Sequence, residues 1–173
     1  AAVVFAEDTR WSTERVARLN RHSVVVAGSQ WTRGVLEAAG VRNVKVVLQG
    51  IDRTSWRPMP PRKHRHFRIF SGGKLEFRKG QDIVVAAFRQ FHAIHPEAVL
   101  VTAWQNMWPP TMDGIERAGH VRGVPAIERG ACAIGSWLYS NAIPVEAFVD
   151  VGLVRNDQLC DVIRSCNVAV FPN

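Results

Sequence analysis

Between Ser71 and Asp82 the chain reads SGGKLEFRKGQD, which sets Gly72, Gly73 and Gly80 among Lys74, Arg78 and Lys79. The apolar run before it has strand character, and the residues after it recur at helical spacing. A strand that ends in glycines and feeds a helix directs backbone N–H groups toward one spot, where the helix dipole adds partial positive charge. Phosphate suits such a place. Gly72 and Gly73 lack a Cβ and so allow an anion near their backbone, while Lys74 and Lys79 can each neutralise a phosphate charge. Glycines kept for packing and lysines kept for solubility are the alternative meaning of the same residues. Two common phosphate motifs are excluded by counting. A P-loop would need glycine at 68 and Ser or Thr at 75, where the chain has Arg68 and Leu75. The spacing of Gly72, Gly73 and Gly80 also fails the GxGxxG dinucleotide pattern.

The elements that must position this turn alternate between strand and helix. Ser12 or Thr13 caps a short helix carrying Val16 and Leu19, SVVVAGS follows as a buried strand, and Ser29 caps a helix in which Trp31, Val35, Leu36 and Ala39 form the inward face. Gly40 stops that helix and VKVVLQG is the next strand. Ile51 to Pro61 has prolines and no periodicity, as a linker has. After it, FRIFSGG is a strand. A helix from Gln81 to about His95 places Ile83, Val84, Ala87, Phe88, Phe91 and Ile94 on one face, and AVLVTAW is a strand. A short helix is expected near Asp113 to Ala118 and a longer one from about Ala126 to Tyr139. EAFVDVGLV is the third strand of this half, Asn156 caps a helix with Leu159, Val162 and Ile163, and VAVFPN is the fourth strand. The alternation predicts an α/β fold with a Rossmann-like doubly wound parallel sheet, preceded by a β-α-β remnant of another domain. The expected boundaries are 1–50 for the first domain's end, 51–66 for the linker and 67–173 for the second domain.

Composition narrows the function classes. The 173 residues are 47% hydrophobic and 21% charged, and no stretch is apolar for the ~18–20 residues of a membrane span. The expected compartment is cytoplasmic. Cys132, Cys160 and Cys166 have no metal-like spacing and are expected as reduced packing residues. His64 and His66 are expected to be solvated. A net charge of +7 favours an anionic partner: nucleic acid, an acidic membrane or a phosphorylated small molecule. The densest basic run, PRKHRHFR from Pro61 to Arg68, has two meanings, a solvated linker face or a binding patch.

SGGKLEFRKGQDIVVAAF resembles the signature of the retaining GT-B-fold glycosyltransferases, the group 1 family of glycogen synthase and sucrose synthase, in which G-R/K-L-x-x-x-K-G precedes an apolar helix. Three more segments match in order. VVVAGSQWTRGVLEAAGV and VVLQGIDRTSWRP resemble the family's last N-terminal β-α-β and its interdomain joint, with Gln49 in place of asparagine and Trp56 in place of phenylalanine. VDVGLVRNDQLCDVIRSCNVAVFPN resembles a stretch of the family's C-terminal domain.

The resemblance implies a transferase moving a hexosyl group from a nucleotide-diphosphate sugar to a glycan, lipid or protein acceptor. Gly72, Gly73, Lys74 and Lys79 would hold the donor diphosphate. Lys74 stands where the family more often has arginine, which keeps the charge without the planar fork. Leu153 and Val154 match positions that contact the base, though they also suit a strand-end core. No metal or other cofactor is implied, and no DxD motif occurs. The family's catalytic glutamates would lie beyond Asn173, so the catalytic residues are unknown and the chain is expected to be an internal fragment, inactive alone, with VAVFP as an apolar sheet edge. A nucleotide-sugar epimerase or phosphorylase on the same fold is the alternative enzyme. A nucleic-acid-binding module is the alternative from another class, although no RNP-like sheet, zinc finger or KH loop is present, so no nucleic-acid partner is expected. The basic joint also suits peripheral contact with an acidic membrane.

Overall fold

The computed structural model describes residues 1–60 and 64–172, and it divides into two compact units, Ala1–Thr54 and Ser55–Asn173. Pro61, Arg62 and Lys63 of the basic run, and Asn173, lie outside the described residues.

The first unit is a small parallel α/β layer. Its strands are β1 (Ala2–Val4), β2 (Val25–Ala27) and β3 (Val44–Val46), with α1 (Thr13–Leu19) between the first two and α2 (Gln30–Ala38) between the last two. They pair in the order β1-β2-β3, all parallel. Both helices begin at a serine whose Oγ accepts a backbone N–H, Ser12 from Arg15 and Ser29 from Thr32, so an otherwise orphaned amide is satisfied at each N-terminus. Gly40 follows α2 with φ 93°, a left-handed stop that favours glycine. Val25, Ala27, Leu36, Val41 and Val44 form the core. Trp31 does not join it. The inward seam of α2 runs through Thr32 and Leu36, one turn apart, which rotates Trp31 outward and leaves it 54% exposed.

The second unit carries a four-stranded parallel sheet of β4 (Phe67–Gly72), β5 (Ala98–Ala103), β8 (Phe148–Asp150) and β9 (Val168–Ala169). Helix α3 (Gln81–Ile94) joins β4 to β5. Between β5 and β8 lie a hairpin of β6 (Ile127–Glu128) and β7 (Ala131–Cys132) and helix α4 (Ile134–Ser140), and α5 (Asn156–Arg164) leads to β9. The sheet order is β8-β5-β4-β9. Counted along this sheet, the strands run third, second, first, fourth, which is the order of a Rossmann-like half with its reversal between β4 and β9. Among the described residues β8 and β9 are the two edges, and Val168 of β9 and the following Val170 and Phe171 are exposed.

Alternation along the central strands divides the core. Ile69, Ala98 and Leu100 face α3 and α4, whereas Phe70, Val99 and Val101 face Leu159, Val162 and Ile163 of α5. Helices therefore cover both faces, as a doubly wound parallel sheet requires. Trp104, immediately after β5, is fully buried. Its ring meets Trp137 edge-on at 6.4 Å, and its Nε1 donates to Ser71 Oγ at 3.2 Å. Arg164 ties the first residues of this unit to α5 by donating to the carbonyls of Ser55 and Arg57.

Several expected elements differ. Residues 113–118 form successive turns instead of a helix. Pro109–Met112 is a single 3-10 turn, and Gly114 adopts φ 81°, which breaks propagation. The stretch from Ala126 opens as the β6–β7 hairpin because Arg129 and Gly130 take φ 50° and 81°, the double left-handed turn of a tight hairpin. The helix starts only at Ile134. Asn156 is the first helical residue of α5, with Arg155 at the cap position and no side-chain cap bond. On α3 the buried seam is Gln81, Asp82, Val84, Val85 and Phe88, while Ile83, Ala87 and Ile94 face outward. Gln81 sets this phase. Its Nε2 donates to Lys74 O and its Oε1 accepts from Glu76 N, which turns the first residue of α3 inward.

Trp104→Ala is expected to lower the unfolding free energy by about 3–5 kcal/mol, the usual effect of removing a buried aromatic side chain, read from urea denaturation.

Candidate functional site

A cavity of about 620 Å³ opens at the C-terminal ends of β4, β5, β8 and β9. Its walls include Gly72, Gly73, Lys74, Lys79, Leu153 and Val154, so all six residues named for diphosphate and base contact line one space. Parallel sheets hold ligands at this edge because loops from adjacent strands diverge where the strand order reverses. Leu153 is 79% exposed, which removes the strand-end-core alternative for that residue, while Val154 is half-buried.

The glycines contribute differently from the expectation of exposed amides. Gly73 N donates to Ala103 O at 3.1 Å, so this amide extends the β4–β5 ladder. Its φ of 118° is the reason for glycine there, since a Cβ would meet open space. Gly72 is required by contact instead: a Cβ would lie 2.6 Å from the ring of Phe70. At the start of α3 the acidic side chain of Asp82 is buried in the first turn, so the positive end of the helix dipole already has an acidic neighbour. Attraction for an added anion therefore rests chiefly on the lysine side chains.

Those lysines are not equivalent. Lys74 Nζ lies 2.7 Å from Glu76 Oε2 and 5.5 Å from the centroid of the Trp108 ring. Glu76 also takes Arg78 Nε at 2.8 Å. The hydrogen bond from Lys74, aided by Arg78, holds the Glu76 carboxyl below its usual range against the opposing effect of burial. This stabilisation is present above the ordinary glutamate range and is lost as pH falls through the depressed value. Lys79, by contrast, forms no ion pair with a described residue.

The loop bearing Lys74 is fixed by two buried amides. Gln81 holds Lys74 O and Glu76 N, and Asn106 Nδ2 donates to Leu75 O at 2.6 Å. On the far side, Asp150 at the end of β8 accepts from Thr102 Oγ1 at 2.9 Å and from Gly152 N at 3.3 Å, and so shapes the loop that carries Leu153. Burial pushes the Asp150 carboxyl above its usual range despite these two bonds. Gln105, Met107, Trp108, Phe171 and Pro172 also line the cavity and were not anticipated from sequence. One signal could have found the first three: they follow a central strand, whose loop must open on the same edge as the glycine turn. Cys132 is buried with its thiol pushed up by desolvation, which suits packing and opposes nucleophilic use.

No family model matches the chain, and no curated protein matches it either.

Asp150→Asn keeps an oxygen for both Thr102 and Gly152. Because the folded-state pKa of Asp150 is raised, the stability linked to its protonated form is complete below the unfolded value and is lost as pH rises through the folded one. The variant is expected to have a higher urea midpoint than the parent at pH 7, with the difference shrinking as pH falls toward about 3.9.

Proposed function

We propose that the cavity of the second unit is the donor site of a retaining glycosyltransferase of the GT-B fold, related to glycogen and sucrose synthases, which takes a nucleotide-diphosphate sugar. One observation carries the proposal: the two lysines and two glycines of the GGKLEFRKG segment share a single cavity with Leu153 and Val154 at the reversal of a parallel sheet. The volume is that of a small-molecule site.

Chemically, breaking the bond between sugar and phosphate builds negative charge on a phosphate oxygen. Fixed ammonium groups stabilise that charge more in the transition state than in the ground state, which is how they accelerate departure. Lys79 is available directly. Lys74 has Glu76 beside it, so an arriving phosphate competes with that carboxylate for the same ammonium. Leu153 and Val154 form an apolar wall on which a base edge can rest. The linker and the preceding unit would belong to the family's interdomain joint and N-terminal domain.

The test is calorimetric titration with pyrophosphate and with nucleoside diphosphates. Both are expected to bind, and Lys79→Gln is expected to weaken each by about 10- to 100-fold, the loss of one charge-assisted contact of about 1.5–3 kcal/mol. Failure of the parent chain to bind either anion would overturn the proposal. Glu76→Gln is expected to tighten pyrophosphate binding, because Lys74 then has no competing carboxylate. An unchanged or weaker affinity in that variant would show that Glu76 holds Lys74 in place rather than competing for it.

A further inference from the structure

Trp108 stands at the lip of the same cavity, 62% exposed, with Met107 beside it at 76%. The exposure does not come from a loose loop. Trp108 N donates to Asn106 Oδ1 at 2.7 Å, while Trp108 O accepts from both the backbone N and the Oγ1 of Thr111, each at 2.9 Å. Asn106 is itself buried, and its Nδ2 is shared between Leu75 O and Thr111 Oγ1, at 2.6 and 2.8 Å. Pro109 and Pro110 then restrict the backbone further. A buried amide network thus locks the main chain of a residue whose indole remains in solvent.

The same unit buries Trp104 and Trp137, so its core accommodates large rings. An exposed, backbone-locked ring beside a cation is a different arrangement. Lys74 Nζ lies 5.5 Å from the Trp108 centroid, and Lys74 is one of the two cations lining the cavity. A ligand that places phosphate on Lys74 therefore has the indole within reach of its attached group. A planar heteroaromatic ring gains most there, because stacking on a pre-positioned indole needs little further ordering of the protein.

We propose that Trp108 is the stacking platform for the nucleobase of a nucleoside diphosphate whose phosphates lie on Lys74 and Lys79. The assignment rests on the donor-site proposal above and adds to it a residue that binds the base. Stacking on a ring face tolerates any base, so Trp108 supplies affinity for the nucleoside without choosing among bases.

The experiment compares the dissociation constants of pyrophosphate, a nucleoside diphosphate and glucose 1-phosphate for the parent chain, Trp108→Ala and Trp108→Phe. Urea denaturation of each variant serves as the folding control. Trp108→Ala is expected to weaken the nucleoside diphosphate by about 10- to 100-fold. Pyrophosphate is expected to change by less than about fivefold, the share of an exposed cation–π contact. Trp108→Phe should retain most of the nucleoside affinity. Equal losses for pyrophosphate and nucleoside diphosphate would overturn the inference, since Trp108 would then act only through Lys74. So would a selective loss of glucose 1-phosphate, which would give the indole to the sugar, or an unchanged nucleoside affinity in the alanine variant. If the parent chain binds no pyrophosphate, the phosphate seat itself fails and the stacking assignment fails with it, a result distinct from the others.

Discussion

The parallel pairing of β4 with β5 is the constraint from which the rest of the second unit follows. It runs over six residue pairs, from Phe67 opposite Ala98 to Gly72 opposite Ala103. Both strands are covered on both faces, so their backbone groups have no water to turn to and depend on each other. In-phase parallel pairing makes the two strands end at the same level. The glycine turn after β4 and the Trp104–Trp108 segment after β5 must therefore emerge side by side. The bond from Gly73 N to Ala103 O extends the ladder one step further, and the bond from Trp104 Nε1 to Ser71 Oγ fastens the two exits from below. The cavity is the space left where those exits separate toward β8 and β9.

Electrostatics at that space is a balance rather than an open positive field. Lys74 already has an anion in Glu76 and a ring face in Trp108, whereas Lys79 has no ionic partner among the described residues. An internal carboxylate holds the Lys74 ammonium at 2.7 Å. Any anion at Lys74 gains only the difference between its own attraction and that of Glu76. Of the two lysines, Lys79 is therefore the one whose charge is not offset by a described side chain.

The sequence was most informative where local chemistry decides local structure. Ser12, Ser29 and Gly40 marked helix ends because side-chain acceptors and a left-handed glycine act within one turn. The apolar runs at 67–73 and 98–104 marked buried strands because nothing else in a small α/β unit covers such a run on both faces. What could not be read was phase and tertiary choice. The seam on α3 is set by Gln81 bonding back to the loop, a contact invisible to hydrophobic spacing, and so Ile83 and Ile94 fall outside it. The Arg129–Gly130 turn displaced an expected helix because an arginine seldom takes positive φ, and only the hairpin makes it do so here. Strand β1 is three residues long and exists by pairing with β2, so its own sequence carries little signal. The glycines and lysines of the motif were legible as a group, but the assignment of Gly73 N to the ladder and of Glu76 to Lys74 needed the fold.

Trp104 and Trp108 show how much one strand end can separate. They belong to the same short segment, WQNMWPP, in which Trp104 closes the apolar run AVLVTAW and Trp108 precedes two prolines. Trp104 directly continues a strand whose side chains point alternately to the two cores, so it enters the face held by α3 and α4. Four residues later the chain has left the ladder, and Asn106 supplies from its side chain the hydrogen bonds that the sheet no longer provides. Replacing ladder bonds by side-chain bonds frees the backbone to turn while keeping it rigid. A loop built in this way can present a large ring to solvent without the disorder that would erase the benefit of presenting it. The buried asparagine and the exposed tryptophan are therefore one device: the first gives up contact with water so that the second remains at the cavity mouth.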